Sequence, residues 1–123
     1  MKKISTDKAP AAIGPYSQAM VINNMVFTSG QIPVDPATGD VPEGIEAQTN
    51  QALTNVKNLL EAAGTSIDKV VKTTVFIQNM SDFSVVNEIY QGYFSEPYPA
   101  RSCVEVAKLP KGVLIEVEAI AEI

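Results

Sequence analysis

Apolar residues alternate with polar ones in some stretches of the chain and return at helical spacing in others, and the switches between the two periods mark its elements. In "AMVINNMVFTS" the pair Asn23-Asn24 separates two short apolar runs, and asparagine tolerates the left-handed backbone that a tight hairpin turn needs. "QIPVDPATGDVPEG" carries three prolines and two glycines, which predicts a structured connection rather than an element. From Gly44 to Ala63 the positions Ile45, Thr49, Ala52, Leu53, Val56, Leu59, Leu60 and Ala63 form a helical stripe, with Gly64 placed to end it. "KVVKTTVFIQ" is β-branched and alternating, hence a strand. "SDFSVVNEIYQGYF" predicts a second helix, capped by Ser81 or Asp82 and striped by Phe83, Val86, Tyr90 and Tyr93. "PARSCVEVAKLPKGVLIEVEAIA" supplies two last strands joined by a turn at "KLPKG", and a strand before the hairpin opens the chain.

The order β, ββ, α, β, α, ββ predicts a single two-layer α+β domain over residues 1–123, with two helices on one face of a mostly antiparallel sheet. No internal repeat or linker interrupts it. In Val70 to Ile77 and Val113 to Ala121 apolar residues occupy both alternating faces, yet two helices cover only one. The other face needs another chain, and a homo-oligomer packed sheet against sheet is expected.

Composition narrows the chemistry. The 123 residues are 46% hydrophobic and 19% charged, a globular mixture, with a net charge of −5 that disfavours docking on phosphate backbones. Nucleic acid is not an expected partner. The absence of histidine removes zinc sites of the usual ligand set and histidine-based triads, and a single cysteine, Cys103, excludes an intrachain disulfide. Neither a signal peptide nor a membrane-spanning run is legible, so a cytoplasmic protein without a membrane partner is expected.

One arginine, Arg101, stands inside an alternating strand. Such a group must reach solvent, pair with an acid of the protein, or await an acid that arrives as ligand. Alternation puts Arg101, Cys103 and Glu105 on one side of their strand, and Leu114, Glu116, Glu118 and Ile120 on one side of the next. A hairpin joining those faces would set Arg101 near Glu116 or Glu118, and parity leaves the register open. The pair reads either as a plain ion pair or as a guanidinium fork for an acidic metabolite, with a spare carboxylate to orient water. Cys103 reads either as a small buried hydrophobe or as a thiol activated by the neighbouring cation. Tyr16, held by Gly14-Pro15, packs or lines a site, and Gly30 after Ser29 either ends a strand or admits a ligand to the backbone. Asn87, between the apolar positions of the second helix, defaults to solvent.

"APAAIGPYSQA", "FTSGQIPVDPATG", "QTNQALTNVKNLLEAAG", "VVKTTVFIQNMSDFSVVNEIY" and above all "PARSCVEVAKLPKGVLIEVEAIA" together resemble the RidA (YjgF) family of reactive intermediate deaminases, over almost the whole chain. The resemblance implies a fold like that of the trimeric chorismate mutases and a homotrimer with sites in the clefts between subunits. It implies hydrolysis of 2-imino acids, tautomers of 2-aminoacrylate-type enamines such as 2-iminopropanoate and 2-iminobutanoate, to 2-oxo acids and ammonia, without metal or organic cofactor. By the same resemblance Arg101 binds the substrate carboxylate and Glu116 orients water. Tyr16, Ser29, Gly30, Asn87 and Cys103 line the substrate, Cys103 as a wall rather than a nucleophile. Two other readings compete: a module that binds or senses 2-oxo acids without turnover, and an RNA-directed nuclease or translation inhibitor. The acidic charge balance argues against the second.

Overall fold

The computed structural model describes residues 1–123. Strand β1 (Lys2–Ile4) is followed by β2 (Ala19–Ile22), β3 (Met25–Thr28), helix α1 (Ile45–Ala62), β4 (Val70–Ile77), α2 (Phe83–Tyr93), β5 (Ala100–Glu105) and β6 (Ile115–Glu122). The strands make one six-stranded sheet in the order β1-β2-β3-β6-β4-β5. Every pair is antiparallel except β4 with β5. The α+β architecture and element order expected from the pattern are those observed. No helix is long and apolar enough to cross a membrane.

Local chemistry explains the punctuation. Asn23 and Asn24 both take positive φ, 50° and 60°, which matches the hairpin twist of β2 and β3. Helix α1 ends at Gly64, whose φ of 89° admits the left-handed exit. Helix α2 starts differently from expectation. Neither Ser81 nor Asp82 caps it with its side chain; a 3-10 turn, Met80–Asp82, leads in, and Glu105 of β5 accepts the Met80 amide at 2.7 Å.

The largest departure concerns the last two strands. They are not a hairpin: β5 runs parallel to β4 along one edge, while β6 lies antiparallel to β4 on its other side, between it and β3. Helix α2 carries the chain from β4 back over the sheet, so β5 enters in the same direction as β4. The connection after β5 then crosses the end of β4, where Gln78 donates to Val106 O and Ala107 O through Nε2 and to Leu114 O through its amide. The more apolar strand takes the interior place.

Both helices cover one face. Ala52, Leu53, Val56, Leu59 and Leu60 of α1 and Val86 and Tyr90 of α2 pack on Val26, Val75, Ile77, Ile115, Val117, Ala119 and Ala121 of the sheet. The opposite face carries Phe27 and Val104, 41% and 43% exposed, and Ile22, 44% exposed. These belong to β2, β3 and β5; β4 and β6 place Phe76 and Ile120 on that side, beside Lys72, Thr74, Glu116 and Glu118, so their outer faces are less apolar than the pattern predicts.

Candidate active site

Two clusters hold the residues singled out in the sequence, and they lie on opposite faces of the sheet. The first is on the helix side. Arg101 of β5 stands beside Thr73 of β4 and projects under α2, where its Nη1 donates to Asn87 Oδ1 at 2.8 Å. Its guanidinium carbon lies 4.8 Å from the centre of the Tyr90 ring and 5.5 Å from that of Phe83. Residues 83, 87 and 90 share one face of a helix, so α2 presents two aromatic rings and an amide to one cation. Tyr90 is fixed in turn by a 2.7 Å hydrogen bond between its hydroxyl and that of Thr73, and by stacking on Phe94 at 4.4 Å. The arginine's acceptor within the chain is an amide, not a carboxylate. A cavity of about 430 Å³ opens over it, lined by Asn87, Tyr90, Gln91, Tyr98, Pro99 and Arg101.

Cys103 is two residues along on the same side, half-buried beside Val75. Burial pushes its thiol above the usual range and the Arg101 charge only partly offsets this.

The second cluster is on the open face. Glu116 pairs with Phe76, and Thr73 beside Arg101 points the other way, so the two residues cannot meet within one chain. The expected approach of Arg101 to Glu116 or Glu118 is therefore corrected: it required a β5–β6 pairing, and β4 intervenes. Burial, and after it the charge of Glu118, raises the Glu116 carboxyl above the ordinary carboxylate range. Its side chain lies against Gly30. Ser29 is committed to the backbone: its amide donates to Gln18 O at 2.8 Å and its hydroxyl to Ser17 O at 2.6 Å. Tyr16, 54% exposed, shares a cavity of about 590 Å³ with Gly30, Gln31 and Ile32.

Three polar side chains that the pattern did not single out hold these parts. Asn55 of α1, fully buried, donates to Ile32 O and Val34 O at 3.0 Å each and accepts from Gln51. Gln48 accepts the Leu114 amide at 2.8 Å, and Gln18 donates to Thr6 O, Ala9 O and Pro10 O. A polar residue inside an apolar helical stripe was the available signal for Asn55. Tyr90 was legible only as part of the stripe.

Residues 6–123 match the family model described as endoribonuclease L-PSP. A 2-iminobutanoate/2-iminopropanoate deaminase of Escherichia coli is 56% identical over 123 residues, 98% of this chain and 96% of that one. Crystal structures of RidA from the Antarctic bacterium Psychrobacter and of Escherichia coli TdcF with bound serine are similar throughout. The first has a TM-score of 0.97 at 50% identity, covering 100% of both chains. The second has 0.95 at 48%, covering 100% of this chain and 99% of that one. With its two clusters on two faces of one sheet, this chain belongs to the endoribonuclease L-PSP family that includes RidA and YjgF.

Proposed function

We propose that the protein, acting as one domain, hydrolyses 2-imino acids to 2-oxo acids and ammonia, and that each site forms where the Arg101 face of one subunit meets the Glu116 face of another. The observation that carries the reading is the state of Arg101: oriented by two rings and an amide, facing a cavity, with no carboxylate of its own accepting from it. A guanidinium so held is prepared for a carboxylate that arrives as ligand. The similar TdcF has been crystallised with serine, an amino acid that carries such a group, and the similar Escherichia coli protein is a deaminase of two 2-imino acids.

In this reading Arg101 pairs bidentately with the substrate carboxylate and Asn87 keeps the guanidinium in plane. A water held by Glu116 adds its oxygen to the carbon of the protonated imine, passing a proton to Glu116, while the C=N electron pair stays on nitrogen as a lone pair. Glu116 returns that proton to the nitrogen of the carbinolamine, the C–N bond breaks with loss of ammonia, and the hydroxyl proton passes to Glu116 as the C=O bond forms. The raised Glu116 pKa suits both directions of that transfer. Such help amounts to about 10²- to 10⁴-fold. The site requires two chains, since the two clusters stand on opposite faces of one sheet. A homotrimer packed through that face supplies it, and a cytoplasmic location sets the protein beside the pyridoxal phosphate enzymes that release such imines.

The test is to generate 2-aminoacrylate with a serine-eliminating pyridoxal phosphate enzyme and to follow pyruvate. Wild-type protein accelerates its appearance, and Arg101→Ala abolishes the acceleration. Binding of a 2-oxo acid dependent on Arg101, with no acceleration by wild type, would instead make the protein a sensor.

A further inference from the structure

We infer that Gly30 is a positioning residue for Glu116: its missing side chain is the seat of the Glu116 carboxylate, which any Cβ would displace. This rests on the reading of Glu116 as the water-orienting group, and it concerns what holds that group. Two ordinary reasons for a glycine do not apply at this position. Gly14, Gly39, Gly44, Gly64 and Gly112 have positive φ, and Gly30 does not. Nor is it merely a loosely held strand end, because the residues around it are hydrogen-bonded on both sides.

The space tells what the glycine is for. A Cβ built on Gly30 meets as its three nearest atoms the Oε2, Cδ and Cγ of Glu116, with Cδ at 2.7 Å and Cγ at 3.0 Å and the oxygen closer still. The local backbone arranges this approach. Phe27 pairs with Ile120 and Gln31 with Val117, so four residue steps on one strand oppose three on the other. One residue is extra, as in a bulge, and bulges re-aim the chain. Ala119 N–H donates to Thr28 Oγ1 at 2.9 Å in place of a ladder partner, and Ser29 turns away to Gln18 and Ser17. Gln31 and Val117 then exchange both backbone hydrogen bonds, 2.7 and 3.0 Å, which fixes Gly30 beside the side chain of Glu116. The carboxylate is thereby laid on backbone rather than left to sweep through solvent, and its direction is set by a neighbour with nothing to rotate.

The experiment is a double-mutant cycle read by thermal unfolding of the full chain, with turnover as a second readout. Gly30→Ala in the wild-type background lowers the unfolding midpoint by about 2 °C, since the end of the Glu116 side chain can yield to the new methyl but gives up its seat. In the Glu116→Ala background, where the three clashing atoms are gone, Gly30→Ala leaves the midpoint unchanged or raises it, because alanine restricts the unfolded chain. Equal losses in the two backgrounds would overturn the proposal. For turnover of 2-iminobutanoate, Glu116→Asp lowers the rate in the wild-type background but raises it about threefold or more over Gly30→Ala alone, since the shorter side chain clears the new methyl. A shorter acid that lowers the rate equally in both backgrounds would also overturn it. If the unfolding cycle is coupled while Glu116→Gln turns over at the wild-type rate, the seat stands and the catalytic reading of Glu116 falls.

Discussion

Arg101 and Glu116 show how a side chain's meaning depends on what surrounds it. Glu116 is disfavoured as an anion by burial and by Glu118, so the folded protein holds its proton more tightly than the unfolded chain does. The sign follows: stability contributed by this group falls as pH rises from the ordinary glutamate pKa through the raised one, and stays low above it. Glu116→Gln removes that loss. Thermal midpoints measured from pH 4 to pH 8 therefore show the glutamine variant gaining on wild type as pH rises, and a constant difference would contradict the assignment. On the proposed reading of Glu116 as the water-orienting acid, this loss of stability accompanies its chemical role. Arg101→Lys keeps the charge but not the fork, and the expected result is a KM raised about tenfold or more, checked by initial rates against imine concentration. The types and positions of these residues were legible in the sequence. Gly30 was legible as a strand end or as a ligand's approach to the backbone, but not as a seat for Glu116, because the carboxylate that occupies its space comes from a strand some eighty-six positions later.

Elements carry the site through polar side chains placed in apolar company. Asn55 satisfies two carbonyls of the 32–34 segment from inside α1, which holds the wall of the Tyr16 cavity to the helix. Asn55→Ala strands those acceptors and costs about 2–4 kcal/mol, measured by urea denaturation. The hydroxyl and ring of Tyr90 separate its two roles. Tyr90→Phe loses the Thr73 hydrogen bond and keeps the platform under Arg101, so KM holds. Tyr90→Leu loses the platform and raises KM about threefold to tenfold, by the worth of a cation–π contact. Helices, the Asn23-Asn24 hairpin and the strand limits were readable because period and turn chemistry are local. The partners of β5 and β6 were not. Adjacent strands with a Pro-Gly turn between them suggest a hairpin, and only the path of α2, which sends β5 parallel to β4, decides otherwise.

At the scale of the molecule, one observation organises the rest: Arg101 and Glu116 stand on opposite sides of a single sheet. In the proposed assembly a second copy covers the open face, where Phe27, Ile22 and Val104 are exposed, and brings the missing half. The apolar character of that face was legible only in part from β4 and β6, which contribute Phe76 and Ile120 beside four polar residues. That covering it would also complete a site followed only from the family resemblance, because the assumed β5–β6 pairing joined Arg101 to the glutamates within one chain. Subunit mixing tests this most directly. Arg101→Ala and Glu116→Ala proteins, each inactive alone, are unfolded together, refolded, and assayed for 2-iminobutanoate hydrolysis, with mixed oligomers verified by differential tagging. Random assembly restores intact sites at subunit boundaries, and about a quarter of the wild-type activity returns. Mixed oligomers as inactive as their parents would contradict a site shared between chains.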